Sequence, residues 1–334
     1  MTAPDGYTAQ HREEEQALDA EENLQGRPFE LSAVQRGGLF GDLVRDKLGL
    51  LSAVFLVVLI LAAVFAPLIA PADPNQGDLG RVMYSPVWNG GTWAHPLGTD
   101  WQGYDVLSRL LFGARTSLIV GVLVVVLAGT FGVLIGLVAG YRGGRTDRWL
   151  MGWVDVQVSF PGLLLAMLLI ALVGGSVASV SIILAINGWM VYARMTRGVV
   201  LSVRERPFVE AAEMVGATPS RVIFKHVLPN LFTPLATLVV LEFARIILAE
   251  AALSFLGLGI QYPGVSWGLD IARAGDHELF GNQWLIIYPG LLLTLTVLAV
   301  NLLSSWLRVA LDPLEREKRF AAAVTGKSDS GAAL

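Results

Sequence analysis

The stretch VEAAEMVGATPSRVIFKHVLPN, from Val209 to Asn230, decides how this chain folds, because it is polar while the segments on either side of it are strongly apolar. The residues before Gly216 are mostly helix formers, and glycine is the residue that most readily ends a helix in a left-handed conformation. A Thr-Pro pair follows, which is typical of the start of another helix, and we expect that second helix to end at Leu228-Pro229. The stretch therefore predicts two short helices, neither long enough to span a bilayer, at a membrane surface.

The first of these helices has the composition of a docking surface. Glu210 and Glu213 are three residues apart and so share one helical face. The apolar side chains that accompany them are Phe208, Val209, Met214 and Val215. Charges that fix the register beside an apolar anchor are typical of a protein interface. A helix that rests on lipid headgroups has the same composition, so both interpretations stay open at this point.

The composition of the chain predicts an integral membrane protein. Its 334 residues are 54% hydrophobic and only 16% charged, and the mean hydropathy is +0.59, far above that of an ordinary soluble domain. The absence of cysteine excludes disulfides, thiolate metal sites and thiol nucleophiles. The four histidines have no metal-ligand spacing and no hydrolytic constellation is recognisable, so we expect neither catalytic nor metal-binding residues.

The net charge of −4 belongs to the N-terminal tail. Residues 1–30 hold eight acidic residues against Arg12 and Arg27, which leaves the remainder of the chain at +2. Residues 1–38 are predicted to be a disordered acidic cytoplasmic tail, and residues 311–334 a second cytoplasmic tail. The first apolar segment, Leu48 to Ala70, is long enough to span a bilayer and is interpreted as a retained anchor.

Hydropathy predicts an all-α polytopic protein with six transmembrane helices. The spans are Leu48–Ala70, Thr116–Gly140, Trp149–Val173, Val177–Val203, Leu231–Leu256 and Trp284–Leu307. Residues 39–115 then form an anchor helix with an external segment, and residues 116–310 the main transmembrane domain, with the cytoplasmic loop at 207–230. Pro161 is expected to interrupt or kink the third span. The repeat of Gly132, Gly136 and Gly140 predicts a close helix contact.

The positive charges predict the orientation. With the N-terminus inside, the inner segments carry sixteen Lys and Arg residues and the outer segments only four. Because positively charged loops are retained on the cytoplasmic side, both termini and the stretch from Val209 to Asn230 are predicted to be cytoplasmic. Two longer external segments remain, 71–115 and 257–283.

The stretch closely resembles the EAA loop of ABC-importer membrane subunits. The residues that match that pattern are Glu210-Ala211-Ala212, Gly216, Ile223 and Leu228-Pro229. Five further motifs resemble the C-type subunit of the dipeptide/oligopeptide permeases, and the likeness covers about Leu48 to Pro313. They are HPLGTDWQGYDVLSRLLFGARTSL from His95, FPGLLLA from Phe160, YARMTRGVVLSV from Tyr192, EAALSFLGLGIQ from Glu250 and WGLDIARAG from Trp267. One departure is Tyr104, where the family usually has arginine before Asp105.

The resemblance implies a type I ABC-importer permease fold in a bacterial inner membrane. It implies a homologous second permease subunit, two cytoplasmic ATPase subunits that bind ATP and Mg²⁺, an extracytoplasmic peptide-binding protein and a peptide substrate, with no nucleic acid partner. This chain contains no G-x-x-x-x-G-K-[ST] phosphate loop, so we expect it to bind no cofactor and to hydrolyse no ATP itself. The alternatives are a nickel- or opine-type importer of the same family and, in a different class, an ion-coupled secondary transporter.

Three groups of candidate site residues follow. The resemblance implies that the ATPase is contacted by Glu210, Ala211, Ala212, Glu213, Gly216, Ile223, Leu228 and Pro229. Glu242, Arg245 and Glu250 fall inside the fifth span, where ionisable side chains are costly, so they either pair with one another or a partner subunit, or line the translocation path. Asp270 and Arg273, in the second external segment, are candidates for contact with the binding protein.

Overall fold

The computed structural model describes residues 39–275 and 282–311. Over these two ranges the chain is mostly helical and forms no strand beyond a single isolated bridge. Besides one short helical turn at Ala66–Ile69, the α-helices are α1 (Leu39–Arg45), α2 (Lys47–Val64), α3 (Val106–Arg142), α4 (Gly144–Val158), α5 (Gly162–Val173), α6 (Val177–Arg204), α7 (Pro207–Met214), α8 (Pro219–Val222), α9 (Leu228–Phe255), α10 (Trp267–Gly275) and α11 (Trp284–Leu311). The two predicted tails lie outside the described residues, apart from Leu311.

The predicted all-α polytopic fold is confirmed. Five helical segments are long and apolar enough to cross a membrane, and α4 with α5 makes a sixth if the pair is counted as one span. The third span is not one continuous helix, however, because α4 and α5 meet at 81°. The break lies just before Pro161, whose ring and missing N–H prevent the helix from continuing.

The second span begins ten residues earlier than its hydropathy predicts. Helix α3 starts at Val106 rather than Thr116, so the predicted domain boundary at 115/116 falls inside it. The Asp105 side chain caps the helix by accepting a hydrogen bond from the Ser108 backbone N–H at 2.7 Å. Polar residues in the first turns give this part of the helix the composition of a loop.

Helices α3 and α6 form the closest pair in the described bundle. A Cβ atom on Gly132 would collide with the carbonyl oxygen of Trp189, and one on Gly140 would lie 2.8 Å from the Cβ atom of Val200. The predicted role of the glycine repeat is therefore confirmed, since only glycine lets the two backbones approach this closely. The largest buried core then joins this pair to α5 and α9.

Candidate functional site

The Val209–Asn230 stretch begins, as predicted, with two short helices joined at a glycine. Gly216 follows α7 with φ +87°, in the left-handed region, and α8 begins at Pro219. A Cβ atom at Gly216 would meet no other atom within 4 Å. The requirement for glycine there comes from the backbone conformation rather than from crowding.

The end of the second helix differs from the prediction. Leu228-Pro229 does not stop it; the chain passes from α8 through a π-helical turn, Ile223–Val227, directly into α9. The Leu228 N–H donates to the carbonyl of Ile223, which keeps the helical path continuous. Pro229 then stands in the first turn of α9 and has no N–H to donate, so the continuous helical path passes it with one backbone hydrogen bond fewer. The helix pair is thereby fused to a transmembrane helix.

A small apolar core attaches the helix pair to the bundle. Val209 of α7 and Val222 of α8 are fully buried, with Val227 and Leu231, against Val200 and Val203 near the end of α6. This corrects the prediction that Val209 belongs to the docking surface, because its side chain points into the protein. The two helices are therefore held on α6 and α9 by ordinary hydrophobic packing.

The opposite side of the helix pair is an exposed apolar surface. Met214 is 85% exposed and Val215 91%, and Phe208 and Phe224 are exposed as well. Glu210 and Ala211 are also exposed, while Ala212, Ile223 and Leu228 are partly buried. The side chain of Glu213 lies outside what the structure describes. An apolar tip beside a carboxylate is suited to insertion into a partner's pocket.

The intramembrane charges divide into two separate groups. Arg245 donates to the Glu242 carboxylate from Nε at 2.9 Å and from Nη2 at 2.6 Å, so these two residues are paired within the chain. The Glu242 side chain is only 9% exposed, whereas that of Arg245 is 56% exposed. Because a bare guanidinium is costly in hydrocarbon, the face of α9 that carries Arg245 requires a polar neighbour or water.

Glu250 takes no part in that pair and is fully buried. Its carboxylate accepts hydrogen bonds from the hydroxyls of Ser117 at 3.0 Å, Ser254 at 2.8 Å and Ser266 at 2.7 Å. These serines come from α3, α9 and the segment before α10, so the carboxylate ties three parts of the chain together. Because the Glu250 carboxylate is buried, it does not face a translocation path in this conformation.

Asp270 and Arg273 lie on α10, an amphipathic helix at the end of the bundle that is predicted to be external. Arg109 donates to Asp270 from Nε at 2.9 Å and also from Nη2, and its Nη1 donates to the carbonyl of Pro74 at 3.1 Å. Asp270 is thus engaged within the chain rather than presented outward. Arg273 lies over the ring of Tyr262, 6.0 Å from its centroid.

Several buried polar residues of the predicted external segment were not singled out from the sequence. The Asp105 carboxylate is fully buried and binds His95 Nδ1 at 3.0 Å and the Ser108 hydroxyl at 2.7 Å. Tyr104, the departure from the family pattern, lies beneath Arg109, whose guanidinium carbon is 5.1 Å from the ring centroid. The aromatic ring therefore supports the guanidinium that binds Asp270.

A small cavity adjoins this group of residues. Its volume is about 30 Å³, and its charged lining residues are Asp100, Arg109, Asp270 and Arg273. Burial raises the pKa of the Asp100 carboxyl, against the opposing effect of two backbone N–H groups and of Arg109. The cavity has room for a water molecule or two but not for a peptide.

Comparison with known proteins agrees with this architecture. Residues 132–317 match the family described as binding-protein-dependent transport system inner membrane component. Residues 40–86 match the N-terminal TM domain of oligopeptide transport permease C. The first match covers more than half of the chain and includes both the helix pair and the intramembrane charges.

Curated relatives match over most of the chain. It is 40% identical to the di/tripeptide transport system permease protein DppC of Pseudomonas aeruginosa over 260 residues, which is 78% of this chain and 86% of the relative. It is 34% identical to the oligopeptide transport system permease protein OppC of Haemophilus influenzae over 304 residues, 90% and 94% of the two chains. The resemblance inferred from the motifs is confirmed, and the chain belongs to the family of inner membrane components of binding-protein-dependent transport systems.

Proposed function

We propose that this chain is one of two permease subunits of an ATP-driven importer of di- and oligopeptides, and that α7 and α8 couple it to an ATPase. The observation that carries the coupling role is the exposed apolar tip formed by Met214 and Val215 beside Glu210. A surface this apolar at the end of a rigid, well-anchored helix pair favours a protein partner over solvent.

The way the helix pair is attached supports transmission of movement. Val209 and Val222 are buried against α6, and the π-helical turn continues into α9. A displacement of α7 must therefore displace two transmembrane helices rather than a loose loop. Nucleotide drives such a change only to the extent that the ATPase binds the two conformations with different affinity.

Peptide cargo is the assignment that the relatives support, since the two quoted above carry names of di/tripeptide and oligopeptide permeases. A homologous second subunit, placed against α9, accounts for the 56% exposure of the Arg245 side chain at a depth where lipid is unfavourable. An extracytoplasmic binding protein and two ATPases that bind ATP and Mg²⁺ complete the proposed assembly. Its place is the bacterial inner membrane, with both termini cytoplasmic.

The experiment is uptake of a labelled dipeptide by vesicles that contain the complete transporter, with ATP supplied on the ATPase side. Val215→Asp places a charge at the apolar tip, and we expect the ATPases to dissociate and uptake to fall at least tenfold. Leu79→Asp is the matched control, because Leu79 is 81% exposed but lies in the predicted external segment. That variant should bind the ATPases and transport as the original chain does.

The outcomes separate the two parts of the proposal. Full ATPase binding by the Val215→Asp variant would refute the coupling role. ATP-driven uptake of nickel instead of peptide would refute the cargo while leaving the coupling intact. Uptake that depends on an ion gradient and not on ATP would refute both.

A further inference from the structure

Helix α4 carries two arginines that have no acidic partner among the described residues. Its own two acids are engaged by α6: Asp147 accepts from Arg197 Nη2 at 2.6 Å, and Asp155 accepts from Arg194 Nη2 at 2.6 Å. No ion pair is formed by Arg145 or Arg148 within the described ranges, and both are exposed. The Asp147–Arg197 pair lies against the bundle, whereas the Asp155–Arg194 pair is largely exposed, at 67% and 47% of the two side chains. Because both acids are already paired, Arg145 and Arg148 add positive charge that no acid of α4 compensates.

The exposed side of α4 changes in chemistry along the helix axis. Arg145 and Arg148 come first, Trp149 and Trp153 follow at 66% and 57% exposure, and Val156 comes last at 55%. The spacing of three and four residues places all five on one face, which we name the α4 stripe. The two indole rings meet edge to face, with centroids 6.1 Å apart. They therefore form one continuous aromatic surface between the two arginines and Val156.

The α4 stripe is an open, shallow surface on one helix. A wide depression on it is lined by Arg145, Arg148, Trp149, Gly152, Trp153 and Val156. Gly152 faces open space and leaves a gap between the side chains on either side of it. No side chain caps the N-terminus of α4, so backbone N–H groups add positive potential at the arginine end.

We propose that the α4 stripe binds an anionic phospholipid. The order of groups along the stripe is the order of groups in such a lipid. The phosphate lies at Arg145 and Arg148, the glycerol and ester region lies beside Trp149 and Trp153, and an acyl chain runs past Val156. Tryptophan prefers the depth of the ester region, and basic side chains attract anionic headgroups.

The test is lipid binding by the full chain in a neutral detergent, measured by native mass spectrometry with phosphatidylglycerol and phosphatidylcholine as the two probes. Each arginine near an anionic headgroup contributes about fivefold, so we expect phosphatidylglycerol to bind about thirtyfold more tightly. The variant with Arg145→Gln and Arg148→Gln should lose that preference, and the variant with lysine at both positions should keep most of it. The control is Arg221→Gln with Arg308→Gln, which removes two exposed cations elsewhere and should leave the preference for phosphatidylglycerol unchanged.

A second measurement locates the lipid and does not depend on the arginine variants. Phosphatidylglycerol brominated on its acyl chains should quench part of the tryptophan fluorescence in vesicles, and that part should disappear when Trp149 and Trp153 are replaced by phenylalanine. Equal binding of the two lipids by the original chain would overturn the proposal. So would equal loss of preference in the control variant, or protection of both tryptophans from the brominated lipid in the assembled transporter, which would mean that another chain covers the stripe.

Discussion

The guanidinium of Arg109 binds the carboxylate of Asp270, so that the first turns of α3 are joined to α10 by two residues 161 positions apart. Only 4% of the arginine side chain and 14% of the aspartate side chain are exposed. A buried ion pair is weak evidence for net stability, but removal of one partner leaves an uncompensated charge. Replacement of one partner should therefore destabilise the protein more than replacement of both.

We expect Arg109→Gln to lower the free energy of unfolding by about 3–5 kcal/mol, because it strands the Asp270 carboxylate in a buried site. The double variant with Asp270→Asn should lose less than the single variant, since neither charge remains. Thermal unfolding of the purified chain in detergent measures both. Asp78→Asn is the control, because Asp78 and Arg81 form an exposed pair. If the Arg109→Gln variant unfolds at the same temperature as the original chain, the pair is not buried in solution.

A valine at Gly216 should distort the angle between α7 and α8. The left-handed conformation costs a β-branched residue about 1–2 kcal/mol or more, and no neighbouring atom is in the way, so the effect is confined to the backbone. ATP hydrolysis by the assembled transporter should then lose its stimulation by substrate. Gly216→Asn is the matched control, since asparagine tolerates this conformation, and it should retain most of the stimulation. Equal activity of the two variants contradicts the prediction.

The pair of Glu242 and Arg245 distinguishes packing from a role in the path. Arg245→Gln leaves the largely buried Glu242 carboxylate without its partner, and we expect it to lower thermal stability by a few kcal/mol. Addition of Glu242→Gln should restore much of that stability. If the exposed guanidinium also acts in the path, peptide uptake by the double variant stays low although the complex assembles. Recovery of both stability and uptake would assign the pair to packing alone.

The orientation is tested by a reporter that is active only outside the cytoplasm. Fusion after Gly275, at the end of α10, should give activity, and fusion after Leu334 should give none. The reason is the sixteen-to-four distribution of basic residues between the predicted inner and outer segments. The reverse pattern would invert the topology and remove the helix pair from the cytoplasmic ATPases.

Features set by local chemistry were predictable from the sequence. The left-handed glycine at 216 and the glycine repeat on α3 follow from what a single residue type permits. Val209 was placed on the wrong side of α7 because an eight-residue helix is too short for the apolar pattern to define a unique face. Its burial depends on Val222 and Val203, which the fold brings to it.

Features that depend on distant partners were not predictable. The start of α3 looked like a loop because Ser108 and Arg109 are polar, but Asp105 and Asp270 satisfy them and allow burial. Arg109 and Asp270 are 161 residues apart in the sequence, so no local pattern indicates that they pair. In the same way, the three serines around Glu250 come from separate segments, and only the fold shows that this carboxylate and Arg245 have different environments.

The glycine contact between α3 and α6 has a mechanical consequence. Arg204 at the end of α6 donates to the carbonyls of Gly140 and Tyr141, at 3.1 and 2.8 Å, so the two helices are joined at their ends as well as along their length. The 37 residues of α3 give it a length of about 55 Å. Under the proposed coupling, a movement of α7 would tilt α3 and α6. Over that length a few degrees of rotation at one end becomes a shift of several ångström at the other end, where Arg109 binds Asp270 of α10.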